Sequence, residues 1–279
     1  MEMVLMTESH FAAADELRRL AGWNQRPEGW ARLLALEPEG CFATIENGEL
    51  IGTVTAVTYG RELAWIGMML VHPNHRRQGV GTQLMKAALA FLKSRGIACI
   101  RLDATPAGRR VYEKLGFVAE WGLTRHEVTS LSERSSPNTR ELMESDWPVA
   151  EKLDAEAFGV SRSRILRRLA QDCRATLVWP AQGHILGYGM LRLGTQSDYI
   201  GPMVCAEAEG AQSLISGLLR VASPRSVFWD VPDDNPLANN LAKRFGFTPV
   251  RPLTRMRLGP ASVSSEPAVQ LAIADPSLG

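Results

Sequence analysis

The chain has 279 residues, enough for one large domain or two ordinary ones, and its 45% hydrophobic and 22% charged composition is that of a globular protein. A formal charge of +1 supplies no global field to draw nucleic acid or an anionic membrane surface. The apolar runs fall far short of a membrane span, Met1-Glu2 opens without a basic and apolar leader pattern, and Cys41, Cys99, Cys173 and Cys205 are scattered with no C-x-x-C pair. The expectation is a cytoplasmic protein with free buried thiols, no metal site, no nucleic-acid or membrane partner, and either a monomeric or a homodimeric state.

In chain order, Val4 to Met6 reads as a short strand. Ser9 can cap a helix running to about Leu20, with Ala13, Ala14, Leu17 and Leu20 spaced for burial. Gly22-Trp23-Asn24-Gln25 interrupts, and Pro27 opens a second helix to about Leu36. Cys41 to Ile45 and Leu50 to Tyr59 are strands joined by Asn47-Gly48, a strong hairpin turn. Ala64 to Val71 is apolar and short enough for a buried strand that ends at His72-Pro73. A basic glycine loop, Arg76-Arg77-Gln78-Gly79-Val80-Gly81, leads into a helix with Leu84, Met85, Ala88, Leu89 and Leu92 on one face and Gly96 as its stop. Ile97 to Leu102 reads as a strand, Pro106 opens a helix carrying Val111, Tyr112 and Leu115, and Glu120 to Val128 is a closing strand. Ser130 to Thr139, rich in Ser, Pro and Asn, is the linker.

Beyond the linker the first half recurs. Glu8-Ser9-His10-Phe11 returns as Glu144-Ser145-Asp146-Trp147 at a shift of 136, and Ile66-Gly67-Met68-Met69 returns as Ile200-Gly201-Pro202-Met203 at 134. Leu115-Gly116-Phe117 returns as Phe245-Gly246-Phe247 at 130, so four positions are lost across the glycine loop. There the second copy reads Val204-Cys205-Ala206-Glu207-Ala208-Glu209-Gly210-Ala211: both arginines and one glycine of the pair are gone, and two carboxylates stand where an anion would lie. One fold is used twice, and its anion site is kept once.

Strand, cationic glycine loop and helix together present free main-chain N–H groups and a positive dipole end to a phosphate or pyrophosphate. A P-loop needs Lys and then Ser or Thr after its last glycine, but Thr82-Gln83 follows Gly81. A dinucleotide fingerprint needs a small residue at position 84, which is Leu84, and glycines directly after the strand, whereas Gly79 lies eight positions beyond Val71. Asp103, 22 residues after Gly81, is the one feature that suits this rival.

Val71-His72-Pro73 followed by Arg76-Arg77-Gln78-Gly79-Val80-Gly81 resembles, in order and spacing, the acetyl-CoA loop of the GNAT N-acyltransferases. Asp103 and Tyr112-Glu113-Lys114-Leu115-Gly116-Phe117 extend the likeness. It covers roughly residues 3–258. It implies α/β tandem GNAT folds, each a mixed, mostly antiparallel twisted sheet flanked by helices: a catalytic domain over 1–132 and a degenerate GNAT-like domain over 138–279 that shapes the acceptor site.

The resemblance further implies that the Ala64–Val71 and Ile97–Leu102 strands splay apart for the pantetheine arm of acetyl-CoA. The backbone of Met69, Leu70 and Val71 would pair with that arm. The N–H groups from Arg77 through Gln78, Gly79, Val80 and Gly81 to Thr82 would hold the pyrophosphate, with Arg76 adding charge. Thr105 stands where the family often has asparagine, and its hydroxyl can still donate.

An amine that attacks a thioester must be neutral, and the leaving thiolate must be protonated or solvated. Tyr112 matches the family's general acid; the plain alternative is a core tyrosine. Asp103 is either a base acting through water or a helix N-cap. Arg109 and Arg110 either reach the nucleotide's 3′-phosphate or form a solvated face. His72 and His75 read as phosphate-near or solvent-facing. The acceptor is expected to be a small-molecule amine, the alternatives being a protein or peptide amine or a non-catalytic acyl-CoA-binding module; it would meet Trp23, Asn24, Gln25 and Met68, unless Gly22 to Gln25 is a capping turn with a core tryptophan. Asp230 either reaches an amine across the interface or, the favoured reading, caps a turn; Arg162, Arg164, Arg167 and Arg168 read as a solvated face, and Ala268 to Ala274 as an edge strand.

Overall fold

The computed structural model describes residues 1–129 and 138–279; the expected linker, apart from Asn138 and Thr139, lies outside them. The first half contains β1 (Glu2–Leu5), α1 (Phe11–Leu20), α2 (Glu28–Leu36), β2 (Cys41–Glu46), β3 (Glu49–Tyr59) and β4 (Leu63–Val71). It continues with α3 (Val80–Ser94), β5 (Cys99–Ala104), α4 (Pro106–Lys114) and β6 (Val118–Val128). The second half opens with β7 (Arg140–Glu141), α5 (Trp147–Phe158), α6 (Ser163–Gln171), β8 (Cys173–Ala181), β9 (His184–Arg192) and β10 (Asp198–Cys205). It ends with α7 (Ala208–Val221), β11 (Val227–Pro232), α8 (Pro236–Arg244), β12 (Thr248–Leu258) and β13 (Gln270–Ala272).

Local signals account for most boundaries. Asn47 and Gly48 take φ of +52° and +82°, the paired left-handed geometry of a type I′ hairpin, and join β2 to β3. The start of α1 differs from the Ser9 expectation: Thr7 makes the cap instead. Its N–H and hydroxyl meet Nδ1 of His10 at 3.0 and 3.1 Å, and a 3-10 turn at Glu8–His10 leads into the helix.

The halves are not separate sheets. The thirteen strands form one sheet in the order β1-β2-β3-β4-β5-β12-β6-β11-β10-β9-β8-β7, with β13 paired to β10. The strand expected to close the first half, β6, pairs instead with β11 of the second, and β12 crosses back to pair with β5. The two exchanged strands lie beside each other at the centre.

Because side chains alternate along a strand, β4 sends Trp65 to one face and Ala64 and Ile66 to the other. Trp65 joins a single core in which Trp30, Leu33 and Leu36 of α2 meet Phe158 of α5 and Ile165, Leu166 and Leu169 of α6. That core therefore spans both halves. On the opposite face α3 packs Leu84, Met85, Ala88 and Leu92 against Val54, Ala64 and Ile66, while Leu214, Ile215 and Leu218 of α7 cover Trp229 of β11.

Polar side chains also differ from the sequence reading. Arg162 belongs to no solvated face: it is buried in a two-bond pair with Asp154, at 2.7 and 2.9 Å, and stacks on Phe158. Asp230 caps no turn. Arg125 of β6 grips both its oxygens, at 2.7 and 2.6 Å, with the carboxylate fully buried. All four cysteines are free thiols. No described helix is long and apolar enough to cross a membrane.

Candidate active site

The first half's strands part as expected. β4 and β5 run parallel and paired only from Leu63 with Cys99 to Trp65 with Arg101. Past that point β4 bulges: Met68 and Met69 together face Val54, Met68 takes φ of +46°, and its carbonyl is held by the Thr53 hydroxyl at 2.8 Å. Met69, Leu70 and Val71 thus border the gap.

The glycine loop lies where β4 ends. Arg77 and Gly79 take φ of +63° and +87°, and α3 starts with no side-chain cap and no acidic residue in its first turn. The first bond closing the helix runs from the N–H of Gln83 to the carbonyl of Gly79. The N–H groups of Arg77, Gln78, Gly79, Val80, Gly81 and Thr82 have no acceptor among the described residues. A side chain at Gly79 would meet nothing within 4 Å, so the space before these donors is open. Two loop side chains hold its shape: Nε of Arg76 donates to the Val71 carbonyl at 3.2 Å, and Nε2 of Gln78 to the Asn74 carbonyl at 2.9 Å. Such a cradle fits a diphosphate.

Tyr112 sits on α4 against Phe117, ring centroids 6.1 Å apart. Burial pushes its phenol up to about 12, and its hydroxyl has no hydrogen-bond partner among the described residues. Thr105 is the N-cap of α4, accepting from the Gly108 N–H at 3.2 Å. Arg109 is paired to Glu113 at 2.7 Å on the exposed side of the helix, so its guanidinium is engaged locally.

Asp103 requires a correction on both of its readings. It neither faces an open cleft nor caps α4. Both oxygens accept from Arg255 of β12 at 2.9 Å, the two side chains are fully buried, and the guanidinium lies between Trp65 and Trp121. Burial pushes its carboxyl up against the pull of Arg255. A carboxylate so enclosed has no route to an incoming amine.

The expected acceptor residues divide. Asn24, Gln25 and Met68 line one cavity of about 50 Å³, walled also by Arg125, Tyr199 and Asp275 from the exchanged strand and the second half. Trp23 is not in its lining. The Asn24 carboxamide is spent on the β9–β10 loop: it accepts from Gln196 and Ser197 at 2.9 and 3.0 Å and donates to the Ser197 carbonyl at 2.8 Å. Gln25 reaches Asp275 at 3.3 Å. Sequence reasoning missed Arg125, Arg255, Tyr199 and Asp275. A signal existed for the first two, because they stand 130 positions apart, the shift of the repeat.

In the second half the same gap is filled. β10 and β11 are paired from Asp198 with Val227 to Ile200 with Trp229, and then β13 lies in the opening, bonded to β10 and, through the Ile273 N–H, to the Asp230 carbonyl. The segment expected as an edge strand is therefore an interior plug. Asn235, which matches Thr105 in the repeat, donates to the carbonyls of Pro267, Ala268 and Gln270 and fastens it. Ala242 stands where the first half has Tyr112.

The sheet parts between β4 and β5, the loop before α3 carries amides without acceptors among the described residues, Tyr112 lies on α4, and the second half repeats the scaffold. Residues 8–117 match the acetyltransferase (GNAT) family, and residues 150–268 match an acetyltransferase (GNAT) domain. The chain belongs to the GNAT superfamily, carries two of its domains in tandem, and is an acyltransferase. It is similar to the holothin acyltransferase of Pseudoalteromonas sp. (strain SANK 73390), with 25% identity over 89% of this chain and 84% of that protein. A putative acetyltransferase from Pyrococcus horikoshii superposes with a TM-score of 0.87 at 24% identity, covering 100% of this chain and 95% of the other. A tandem GNAT protein from the clavulanic acid biosynthesis pathway gives 0.64 at 16% identity, covering 93% and 99%.

Proposed function

We propose that the first half transfers an acetyl group from acetyl-CoA to a primary amine of a small molecule, at one working site per chain. The observation that carries this is the run of six N–H groups from Arg77 to Thr82 without acceptors among the described residues, in the loop after β4, whose pairing with β5 stops at Trp65. Acetyl-CoA, when bound, supplies the activated acyl thioester, and the remaining work falls to side chains and amides of this chain. The six amides hold the diphosphate and Arg76 adds charge. The free edge of β4 at Met69, Leu70 and Val71 pairs with the pantetheine amides as a strand would. Tyr112 gives its proton to the departing thiolate; a phenol near 12 keeps that proton at neutral pH.

Asp103 has no part in proton transfer here, since Arg255 occupies it. The acceptor approaches through the cavity at Met68. A small amine suits this cavity, because its walls come from both halves and its volume is about 50 Å³, whereas a polypeptide needs an extended groove. The likeness to the holothin acyltransferase along most of both chains supports acyl transfer by a tandem arrangement.

The test is free-thiol release from acetyl-CoA across a panel of primary amines, amino acids and peptides. Small amines should be turned over. Tyr112→Phe should lower kcat by about 100-fold or more, leaving acetyl-CoA affinity in a calorimeter unchanged. Turnover confined to peptides overturns the small-molecule reading, and a Phe variant as fast as wild type removes Tyr112 from the chemistry.

A further inference from the structure

We propose that the cavity between the halves docks its acceptor by a cationic nitrogen, received by Asp275 and Gln25. This rests on the acyltransfer reading above and names the charge its acceptor carries. Two acceptor atoms in the cavity have unmet capacity. Oε1 of Gln25 is buried with no hydrogen-bond partner among the described residues, while the Nε2 of the same amide is turned toward Asp275. Oδ1 of Asp275 is satisfied by the N–H and hydroxyl of Ser277. Oδ2 is not: its contacts are Gln25 Nε2 at 3.5 Å and Arg192 Nη2 at 3.6 Å. Arg192 directs its closer bonds to the carbonyls of Gly201 and Ala274.

Both atoms gain when a donor arrives, Gln25 Oε1 because it has none and Asp275 Oδ2 because its two donors stand at long range. An ammonium brings three donors and no acceptor, which suits a carboxylate oxygen beside an amide oxygen. Asp275 is ionised to receive it. Burial pushes its carboxyl up, but Arg192, Ser277 and Gln25 outweigh that and hold it below the usual range.

The other charges lining the cavity are already matched: Arg26 with Glu28 at 2.8 Å, Arg125 with Asp230, and Arg32 with Asp172. Among them the Nε of Arg32 is a buried donor with no partner among the described residues, and it suits an oxygen on the rest of the acceptor. The site would therefore bind the amine as the ammonium that exists in neutral water, and that ammonium gives its proton to bulk water before the neutral nitrogen attacks.

The tail that plugs the second half thus also furnishes the first half's acceptor site. Residues 270–272 fill one gap, and three residues later the same chain presents Asp275 to the other half.

The experiment takes the best small amine from the thiol-release panel and compares wild type with Asp275→Asn and Gln25→Leu. Asp275→Asn should raise KM for the amine by about 10- to 100-fold, with KM for acetyl-CoA unchanged. Gln25→Leu, which leaves the Arg192 contact in place, should raise it by about fivefold or more. A crystal soaked in thallium(I) acetate should show an anomalous peak beside Oδ2 of Asp275, absent from the asparagine variant. An unchanged amine KM in a folded variant, or no thallium at Asp275, overturns the assignment. Loss of the wider reading looks different: no thiol release with any amine and no heat on adding acetyl-CoA.

Discussion

The two halves share a scaffold down to the irregularities of their strands. Met68 and Met69 bulge opposite Val54, and Gly201 and Pro202 stand in the same two-against-one relation to Met190. They differ in what occupies the opening that follows. In the first half the amides from Arg77 to Thr82, in the loop and first residues of α3, have no acceptor among the described residues, and no acid stands in the first turn of that helix. In the second, Glu207 and Glu209 supply negative charge at the start of α7, and β13 takes the ladder positions. A fold of this kind leaves two demands unmet: one set of strand edges and one helix terminus. The second half meets them with its own chain, and in the first half they stay unmet among the described residues. The second half thus satisfies the opening internally with the sheet kept intact.

What joins the halves is symmetric. Asp103 of β5 is held by Arg255 of β12 from the second half, and Asp230 of β11 by Arg125 of β6 from the first. Each exchanged strand brings one arginine to one buried aspartate. Breaking one latch gives the largest expected effect. Arg255→Leu leaves Asp103 buried and alone, so the protein should lose about 3–5 kcal/mol in urea unfolding. Because the exchange merges the two sheets, both halves should unfold in one transition. Two separate transitions, with only one of them shifted, would falsify the shared architecture.

The comparison sharpens at the loops. Gly79→Glu places a carboxylate among the free amides at a left-handed backbone position. It should weaken acetyl-CoA binding by about 100-fold while costing the fold about 1 kcal/mol, read by calorimetry and thermal unfolding. Glu209→Arg in the second half should leave affinity within roughly twofold of wild type and the stoichiometry at one per chain. A second equivalent of bound cofactor in that variant would mean that charge, and not the plug, closes the rear gap.

The smallest effect expected concerns acid. Asp275 is held below the ordinary carboxylate range, so the stability it contributes is complete above the unfolded value of about 4. It is lost as pH falls through the lower folded value. The difference in urea midpoint between wild type and Asp275→Asn should be constant above about pH 5 and close below about pH 4.

Most elements of the first half were readable because their causes are local. Asn47-Gly48, Pro27, Pro106 and the spacing of Leu84, Met85, Ala88 and Leu92 each act within a few residues. The glycine loop with its free amides was readable too, being one loop and one helix start. Asp103 misled because its sequence position describes a strand end, whereas its partner lies 152 residues away. Arg162 misled likewise: a row of arginines looks solvated until Asp154 and Phe158 enclose one of them.

The amino-acid sequence alone determined the repeat, the two GNAT units and the loss of the anion loop from the second, since those are statements about local pattern and spacing. Only the tertiary structure decided that β6 and β12 change places, that residues 270–272 fill the second opening, and that Asp275 faces Gln25. Strand partners and buried ion pairs are set by which distant surfaces exclude water together, and no short stretch of chain carries that information.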